Sequence, residues 1–457
     1  MLTSVDPATG DQIAEYEEHT AEEAARAVEV AHERHRAWRR TSFDERAGML
    51  RGVADRLDAR AHELAELMAL EMGKPVVGGR GEVEKCAWVC RYYADHGPEQ
   101  LADIPIDADR DRSYIHHDPL GVVLAVMPWN FPLWQVFRFA APALMAGNAG
   151  LLKHASNVTG CSLAIEELFA EGGAPEGLFR SLKIPSKLVA GVLEHPLVRA
   201  ATLTGSTGAG QAVAETAGRM LKKTVLELGG SDPYVVLEDA DVAAAARICA
   251  TSRLINAGQS CIAAKRFIVA DAVHDEFLDA FVAAMGDAVM GDPMDEATTV
   301  GPQAQVHLRD ELHEQVERTV GQGAQLLLGG EVPDRPGAWY PPTVLAGVTR
   351  DMVAAQEETF GPVAAVIRAA DEADAIAIAN DSVFGLGAAV FTGDVERGER
   401  IAAEELEAGC CFVNDFVASD PRLPFGGIKE SGYGRELSHL GIREFVNQKT
   451  VVVGSKR

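Results

Sequence analysis

Arg199-Ala200-Ala201-Thr202-Leu203-Thr204-Gly205-Ser206-Thr207-Gly208-Ala209-Gly210 is the stretch on which the fold turns. A short apolar run ends at Thr204 and breaks into a glycine-rich turn. Gln211 to Leu221 then takes up helical spacing. Strand, glycine turn and helix in that order form a phosphate-binding geometry: N–H groups at a helix amino terminus attract anions, and glycine permits close approach. The glycines fall as Gly-x-x-Gly-x-Gly rather than Gly-x-Gly-x-x-Gly, and the turn alone is equally a plain tight turn. Its setting between strand and helix favours the anion site.

The flanking sequence repeats the alternation. Gly121 to Met127 is continuous, apolar and β-branched, a buried-strand pattern, and Pro128-Trp129-Asn130-Phe131-Pro132 breaks it. A helix is predicted from about Leu133 to Leu144 and a strand from Gly147 to Lys153. Beyond Glu227-Leu228-Gly229-Gly230, Tyr234 to Leu237 and Ala264 to Val269 predict strands, and Val242 to Leu254 and Val273 to Met290 predict helices. Such alternation implies βαβ units, parallel sheets and an α/β fold. Ala21 to Met72 predicts helices, with Thr41-Ser42 capping the second and Gly73-Lys74-Pro75 ending the run. A further helix is predicted over Gly81 to Asp95, where Cys86 and Cys90 share a face as small core residues.

A chain of 457 residues predicts two or three domains, the second α/β unit beginning near Ser231. With 68 acidic against 42 basic residues the net charge is −26, which excludes nucleic acid as a partner because phosphate neutralisation needs clustered Lys and Arg. The acidity fits a salt-rich cytoplasm or an ordinary acidic bacterial enzyme. The amino terminus carries no signal-peptide pattern, no apolar run reaches bilayer length, and seven cysteines in a chain this long make no disulfide framework. A reducing cytoplasm is the expected compartment, and no metal site is expected.

Cys261, in Gly258-Gln259-Ser260-Cys261-Ile262, is a candidate nucleophile. A lone cysteine is commonly inert; nucleophilic use needs a base and an oxyanion donor. Glu227, in apolar company at the end of Val225-Leu226-Glu227-Leu228, is expected to have the raised pKa a base needs, although a surface-turn carboxylate reads equally well locally. Asn130, between two prolines after a buried strand, offers a side-chain amide, although a turn-forming Asn reads equally well locally.

The combination carries more than its members. Pro128-Trp129-Asn130-Phe131-Pro132, Leu226-Glu227-Leu228-Gly229-Gly230, Gly258-Gln259-Ser260-Cys261, Glu357-Glu358-Thr359-Phe360-Gly361-Pro362 and the segment Pro424 to Gly432 occur in this order. Over essentially its whole length the chain resembles the aldehyde dehydrogenase superfamily. The resemblance implies that Cys261 attacks an aldehyde, that Asn130 and the Cys261 N–H hold the oxyanion, and that Glu227 activates the thiol or the hydrolytic water. It places Lys153 and Ser156 at the adenosine ribose. Gly205, Ser206 and Gly210 fall at the pyrophosphate with Trp129 beside them, and Leu228, Glu358 and Phe360 at the nicotinamide end. Ser156 stands where NAD-preferring members often have Glu, so dual use of NADP and NAD is expected; alternatively Ser156 caps the following helix.

Within the superfamily, Leu152-Lys153-His154-Ala155-Ser156-Asn157 and Ser419-Asp420-Pro421-Arg422-Leu423-Pro424 resemble succinate-semialdehyde dehydrogenases of the short bacterial type. That implies a substrate carboxylate held by Arg138, which shares a helical face with Gln135, and by Ser419. Some such enzymes carry Arg six residues before the nucleophile. Ile255 is there instead, with Arg253 two residues further back, so recognition falls to Arg138 alone or to Arg138 with Arg422. Glutarate semialdehyde or a neutral aliphatic aldehyde is the alternative substrate. A non-catalytic scaffold is disfavoured because Cys261, Glu227 and Asn130 are all present. The resemblance further implies a Rossmann-type cofactor domain (1–100 and 118–230), an α/β catalytic domain (231–435) and a small β oligomerisation element (101–117 and 436–457), giving a homodimer or homotetramer.

Overall fold

The computed structural model describes residues 1–454. Two sheets organise it. The first has six strands in the order Gly432–Tyr433, Lys223–Glu227, Val198–Thr204, Val122–Met127, Ala149–His154, Phe179–Ser181, all parallel except the first. Its five parallel strands run outward in both directions from Val122–Met127, the earliest in sequence. Val198–Thr204 lies on one side of it and Ala149–His154 on the other. Ligands bind beyond the carboxyl ends of strands at such a reversal of order. Here that crevice is flanked by the turn at Pro128–Pro132 and the turn at Gly205–Gly210. The glycine turn therefore follows the fourth strand of the unit rather than the first, a different setting from that of the usual Gly-x-Gly-x-x-Gly order.

The second sheet has seven strands: Gln325–Leu328, Thr343–Ala346, Val363–Ala369, Arg266–Ala270, Pro233–Val236, Gly387–Phe391 and Cys410–Val413. All neighbours are parallel except the first pair. Alternate residues serve opposite faces: Val235 and Ile268 pack with Leu345 and Val390, whereas Tyr234, Phe267 and Val269 pack with Phe277 and Phe281. The chain leaves the first sheet after Glu227 and returns to it with Gly432–Tyr433, ahead of residue 435. A third, antiparallel sheet joins Val446–Val453, Arg112–Pro119 and Ile104–Ile106.

Helices form where expected but with shifted ends. The amino-terminal run is three helices, Ala21–Trp38, Phe43–Ala59 and Ala61–Met72. Ser42 caps the second through a reciprocal bond with Glu45, and Gly73 ends the third at φ 76°. The next helix is longer than the expected Gly81–Asp95, running Val76–Gln100, and it buries Cys86 and Cys90. The helix expected over Val273–Met290 is shorter, His274–Gly286. The lead-in proves to be a hairpin, Leu2–Val5 with Gln12–Tyr16, anchored where Ser4 Oγ donates to Glu71 Oε1 at 2.7 Å. Among the described residues, no helix is long and apolar enough to cross a membrane.

Candidate active site

Cys261 follows a loop held in an unusual backbone shape. Asn256, Ala257 and Gly258 have φ of 54°, 53° and 74°. Left-handed conformations in two residues with side chains are costly and persist only where the surroundings over-determine them. Here Arg253 Nη2 donates to Gly258 O at 2.6 Å, Asn256 Nδ2 donates to Asn130 O at 2.7 Å, and Ala304 N donates to Gln259 Oε1 at 2.8 Å. A methyl on Gly258 would press on the Gly361 carbonyl and come 2.6 Å from Pro362 N. Lys265, fully buried, completes the frame by donating to Ser260 O at 2.8 Å and Cys261 O at 2.6 Å.

The thiol opens on a cavity of about 240 Å³. Gln135, Arg138 and Ser419, all anticipated from the sequence, line it with Cys261, and Phe131 and Phe425 supply aromatic wall. Burial pushes the Cys261 thiol up to about 12, against the pull of the Arg138 and Lys265 cations. In this state the thiol is protonated near neutrality and needs a base.

Asn130 and Glu227 adjoin the cavity without lining it. Asn130 Nδ2 donates to Gln259 O at 3.1 Å, two residues from the nucleophile. An amide nitrogen carries two protons, so a second donor remains. Glu227 is buried at the end of its strand, and among the described residues neither carboxylate oxygen has a hydrogen-bond partner. Burial and the neighbouring Glu436 raise its pKa well above the usual carboxylate range. No hydrogen bond joins Glu227 to Cys261 among the described residues.

Arg138 departs most from expectation. Its Nε is ion-paired with the buried Glu436, Nη2 donates to Thr204 Oγ1 at 3.2 Å, and the guanidinium lies over the Phe425 ring. Its charge is thus already shared. Arg253 is fully buried beneath the nucleophile loop, so it does not replace the missing arginine at Ile255, which itself lines the cavity. Arg422 pairs with Asp420 two residues away and lies over Trp88, outside the cavity lining. Of the two arginines, only Arg138 lines the cavity.

The coenzyme candidates gather beyond the strand ends of the first sheet. Ser206 caps the helix Thr207–Arg219, accepting from Ala209 N at 3.4 Å. Gly210 lies against Leu228, so a side chain there would collide with it, whereas space at Gly208 is open. Trp129 and Phe360 meet edge to face at 5.7 Å. Glu358 accepts from Gly230 N at 3.0 Å and lies 3.3 Å from Lys265 Nζ. Lys153, only 9% exposed, makes no hydrogen bond or ion pair among the described residues, and burial lowers its pKa. Ser156 is exposed and does not cap the helix that follows: it opens the short 3-10 turn Ser156–Val158, and Val158 is the cap residue of the helix Thr159–Glu171.

Three features escaped the sequence reading. Lys85 lines the cavity and donates to Ser419 Oγ at 2.9 Å. Glu82, paired with Lys74, accepts from Leu133 N and Trp134 N, both at 2.9 Å, at the start of the helix that carries Gln135 and Arg138. Lys265 braces the nucleophile loop. A signal existed for two of them: Gly78, Gly81, Glu82 and Lys85 fall at i, i+3, i+4 and i+7 and all line the cavity, a stripe of glycines and charges where a core face would be apolar.

This fold and cavity define an aldehyde-oxidising enzyme, and the chain belongs to the aldehyde dehydrogenase family, whose profile matches residues 1–451. Among named relatives, the succinate-semialdehyde dehydrogenase (NADP+) of Mycobacterium avium strain 104 is 50% identical, covering 100% of this chain and 97% of its own. Escherichia coli K12 succinate semialdehyde dehydrogenase (NAD(P)+) Sad is 48% identical over 98% of this chain and 97% of its own. The crystal structure of succinic semialdehyde dehydrogenase from Streptococcus pyogenes in complex with NADP+ superposes with a TM-score of 0.97 at 39% identity, covering 100% of both chains.

Proposed function

We propose that this enzyme oxidises succinic semialdehyde to succinate, with NADP or NAD accepting the hydride. One observation carries the substrate reading: a single cavity joins Cys261 to a wall holding Arg138, Gln135, Ser419 and Lys85, and among the described residues the Lys85 ammonium has no carboxylate partner, which a neutral aldehyde would not supply. The names of the relatives agree with it.

The residues divide the work as follows. Cys261 adds through sulfur to the aldehyde carbon, forming a thiohemiacetal and later a thioester. The free proton of Asn130 Nδ2 and the Cys261 N–H stabilise the oxygen as it becomes anionic. Glu227 takes the proton of the thiol and then of the hydrolytic water. Its raised pKa makes it a stronger base than an exposed carboxylate, and with no hydrogen bond holding it the side chain can swing toward either. Two observations fit a dinucleotide: open space at Gly208 in the first turn of a 13-residue helix, and the buried Lys153, which has no partner among the described residues. Lys153 and Ser156 would hold the adenosine ribose, Gly205, Ser206 and Gly210 the pyrophosphate, and Trp129, Leu228, Glu358 and Phe360 the nicotinamide end. When bound, the nicotinamide supplies the hydride acceptor. With serine rather than a carboxylate at position 156, a ribose 2′-phosphate meets no negative charge there.

The same proposal assigns 1–100 and 118–230 to coenzyme binding and 231–435 to catalysis. Assembly as a homodimer or homotetramer runs through the third sheet. Exposed Val452 and Val453 on its edge strand Val446–Val453 support that assembly. The working compartment is the cytoplasm.

Initial rates with succinic semialdehyde and hexanal, each with NAD and NADP, test the reading. Wild type should favour the acid aldehyde with both coenzymes, and Cys261→Ala should form no NAD(P)H. Preference for hexanal refutes the substrate; turnover by the alanine variant refutes the chemistry.

A further inference from the structure

Among the described residues, every charged group at the substrate cavity but one is already paired. Arg138 is shared with Glu436. Glu82 is satisfied by Lys74 and by two backbone N–H groups. Asp420, near Lys85, is held by Arg422 through bonds of 2.9 and 2.6 Å. Lys85 remains. Among the described residues its ammonium pairs with no carboxylate. It donates to Ser419 Oγ at 2.9 Å and sits 4.6 Å from the Trp134 ring centre. Trp134 Nε1 donates to the same Ser419 Oγ at 3.2 Å. Ser419 is 8% exposed, so lysine, indole and hydroxyl converge on one point in the cavity wall.

A cation drawn out of water without a counter-ion is unfavourable unless a ligand supplies one. Among the described residues its hydrogen-bond partner is a neutral hydroxyl, and a carboxylate can accept a hydrogen bond from both. An ammonium and a hydroxyl side by side fit one carboxylate, whereas an arginine already bound to a glutamate offers a weaker field. Ile255, apolar, lines the same cavity. We infer that Lys85, beside Ser419, binds the carboxylate of the substrate and sets the preference for a carboxylated aldehyde. The inference rests on the substrate class proposed above and names its determinant.

The electrostatics agree. Burial, reinforced by the Arg138 cation, lowers the Lys85 pKa to about 8; Cys86, Asp420 and Glu82 act in the opposite direction. A bound carboxylate favours the charged ammonium. The sign follows: below pH 8 Lys85 is charged before substrate arrives, and above it the substrate must pull a proton onto the amine. KM for succinic semialdehyde therefore rises with pH above about 8, and KM for hexanal does not follow it.

The test compares wild type, Lys85→Met and Lys85→Arg with succinic semialdehyde and with hexanal between pH 6.5 and 9.5. In Lys85→Met the ratio of kcat/KM for succinic semialdehyde to that for hexanal should fall roughly 10- to 100-fold, the range for losing a charged hydrogen bond, mostly through KM. Lys85→Arg should recover much of the ratio and abolish the rise of KM above pH 8, since guanidinium stays charged. A wild type without preference for the acid aldehyde overturns the substrate reading and the inference with it. A wild type with that preference, unchanged in Lys85→Met, overturns only the role of Lys85. Equal losses on both aldehydes, unrecovered by arginine, mark a structural lysine and also overturn it.

Discussion

Glu82 and Lys74 are each 2% exposed at the side chain and form an ion pair where neither charge has water to fall back on. Lys74 Nζ also lies 3.9 Å from the Phe131 ring centre, and Glu82 caps the helix start at Leu133 and Trp134. Phe131 and Trp134 flank the turn after Asn130, so this pair fixes the loop that presents the oxyanion donor. Glu82→Gln keeps an oxygen for both N–H groups and removes only the charge. Lys74 is then a buried ammonium without a partner, a loss of roughly 3–5 kcal/mol. Lys74→Met strands the carboxylate at similar cost. The double variant leaves no stranded charge, so its destabilisation should be smaller than either single one, with a coupling of at least about 1 kcal/mol. Burial already lowers the Lys74 pKa and Glu82 opposes it. In Glu82→Gln the folded pKa falls further below the unfolded value, so its stability is lost as pH falls below that value and its deficit does not shrink between pH 9 and pH 7. Urea midpoints at fixed chain concentration, at both pH values, measure all four proteins. Additive losses refute the pairing argument, and so does a deficit that shrinks as pH falls.

Two further outcomes follow from single positions. Ser156→Glu places a carboxylate where a ribose 2′-phosphate would lie, so kcat/KM with NADP should drop roughly 10- to 100-fold relative to NAD; an unchanged coenzyme ratio would remove Ser156 from the ribose site. His154 is fully buried as the neutral ring, its Nδ1 accepting from Ala155 N at 3.0 Å and its Nε2 donating to Pro132 O at 2.8 Å, and its pKa is lowered to about 4. A depressed folded pKa gives stability that is present above the unfolded value of 6.5 and lost as pH falls toward 4, about 3 kcal/mol at the limit. His154→Gln should flatten the acid side of the stability curve measured by urea midpoint, and an unaltered slope between pH 6.5 and 4.5 would contradict it.

The chemistry was legible where local sequence and local structure coincide. Strand ends turn into Pro128–Pro132, Gly205–Gly210 and Glu227–Gly230 because β-branched runs stop at residues that cannot extend them. The motifs therefore announce the crevice even before the strand order is known. The order itself was not legible: nothing near Gly432–Tyr433 says that a two-residue strand returns to the edge beside Lys223–Glu227. Nor could sequence reveal how charges partner across long separations. Arg138 was legible as a cation on the face shared with Gln135. That Glu436, almost three hundred residues later, occupies it depends on the return of the chain to the first sheet. Lys85 was obscured for the converse reason. It sits on a helix whose reading turned on Cys86 and Cys90 as small core residues, and its importance lies in the partner it lacks.

The ionisation of the nucleophile rests on one more buried cation. Lys265 Nζ donates to Ser260 O and Cys261 O and lies 3.3 Å from Glu358, which in turn accepts from Gly230 N at the crossing between sheets. One ammonium thus ties the thiol loop to the coenzyme side of the site. Burial pushes the Cys261 thiol toward its neutral form, and the Lys265 charge opposes that push. Lys265→Met should therefore raise the thiol pKa and slow alkylation of Cys261 by iodoacetamide several-fold at pH 8, because the reactive species is the thiolate. Loosening of the Asn256–Gly258 turn would act the other way by admitting reagent, so the two roles of Lys265 predict opposite signs. Peptide mass spectrometry separates Cys261 from the partly exposed Cys410 and Cys411. Slower labelling at Cys261 alone supports electrostatic control of the thiol. Unchanged or faster labelling refutes it and leaves Lys265 as a brace for the loop.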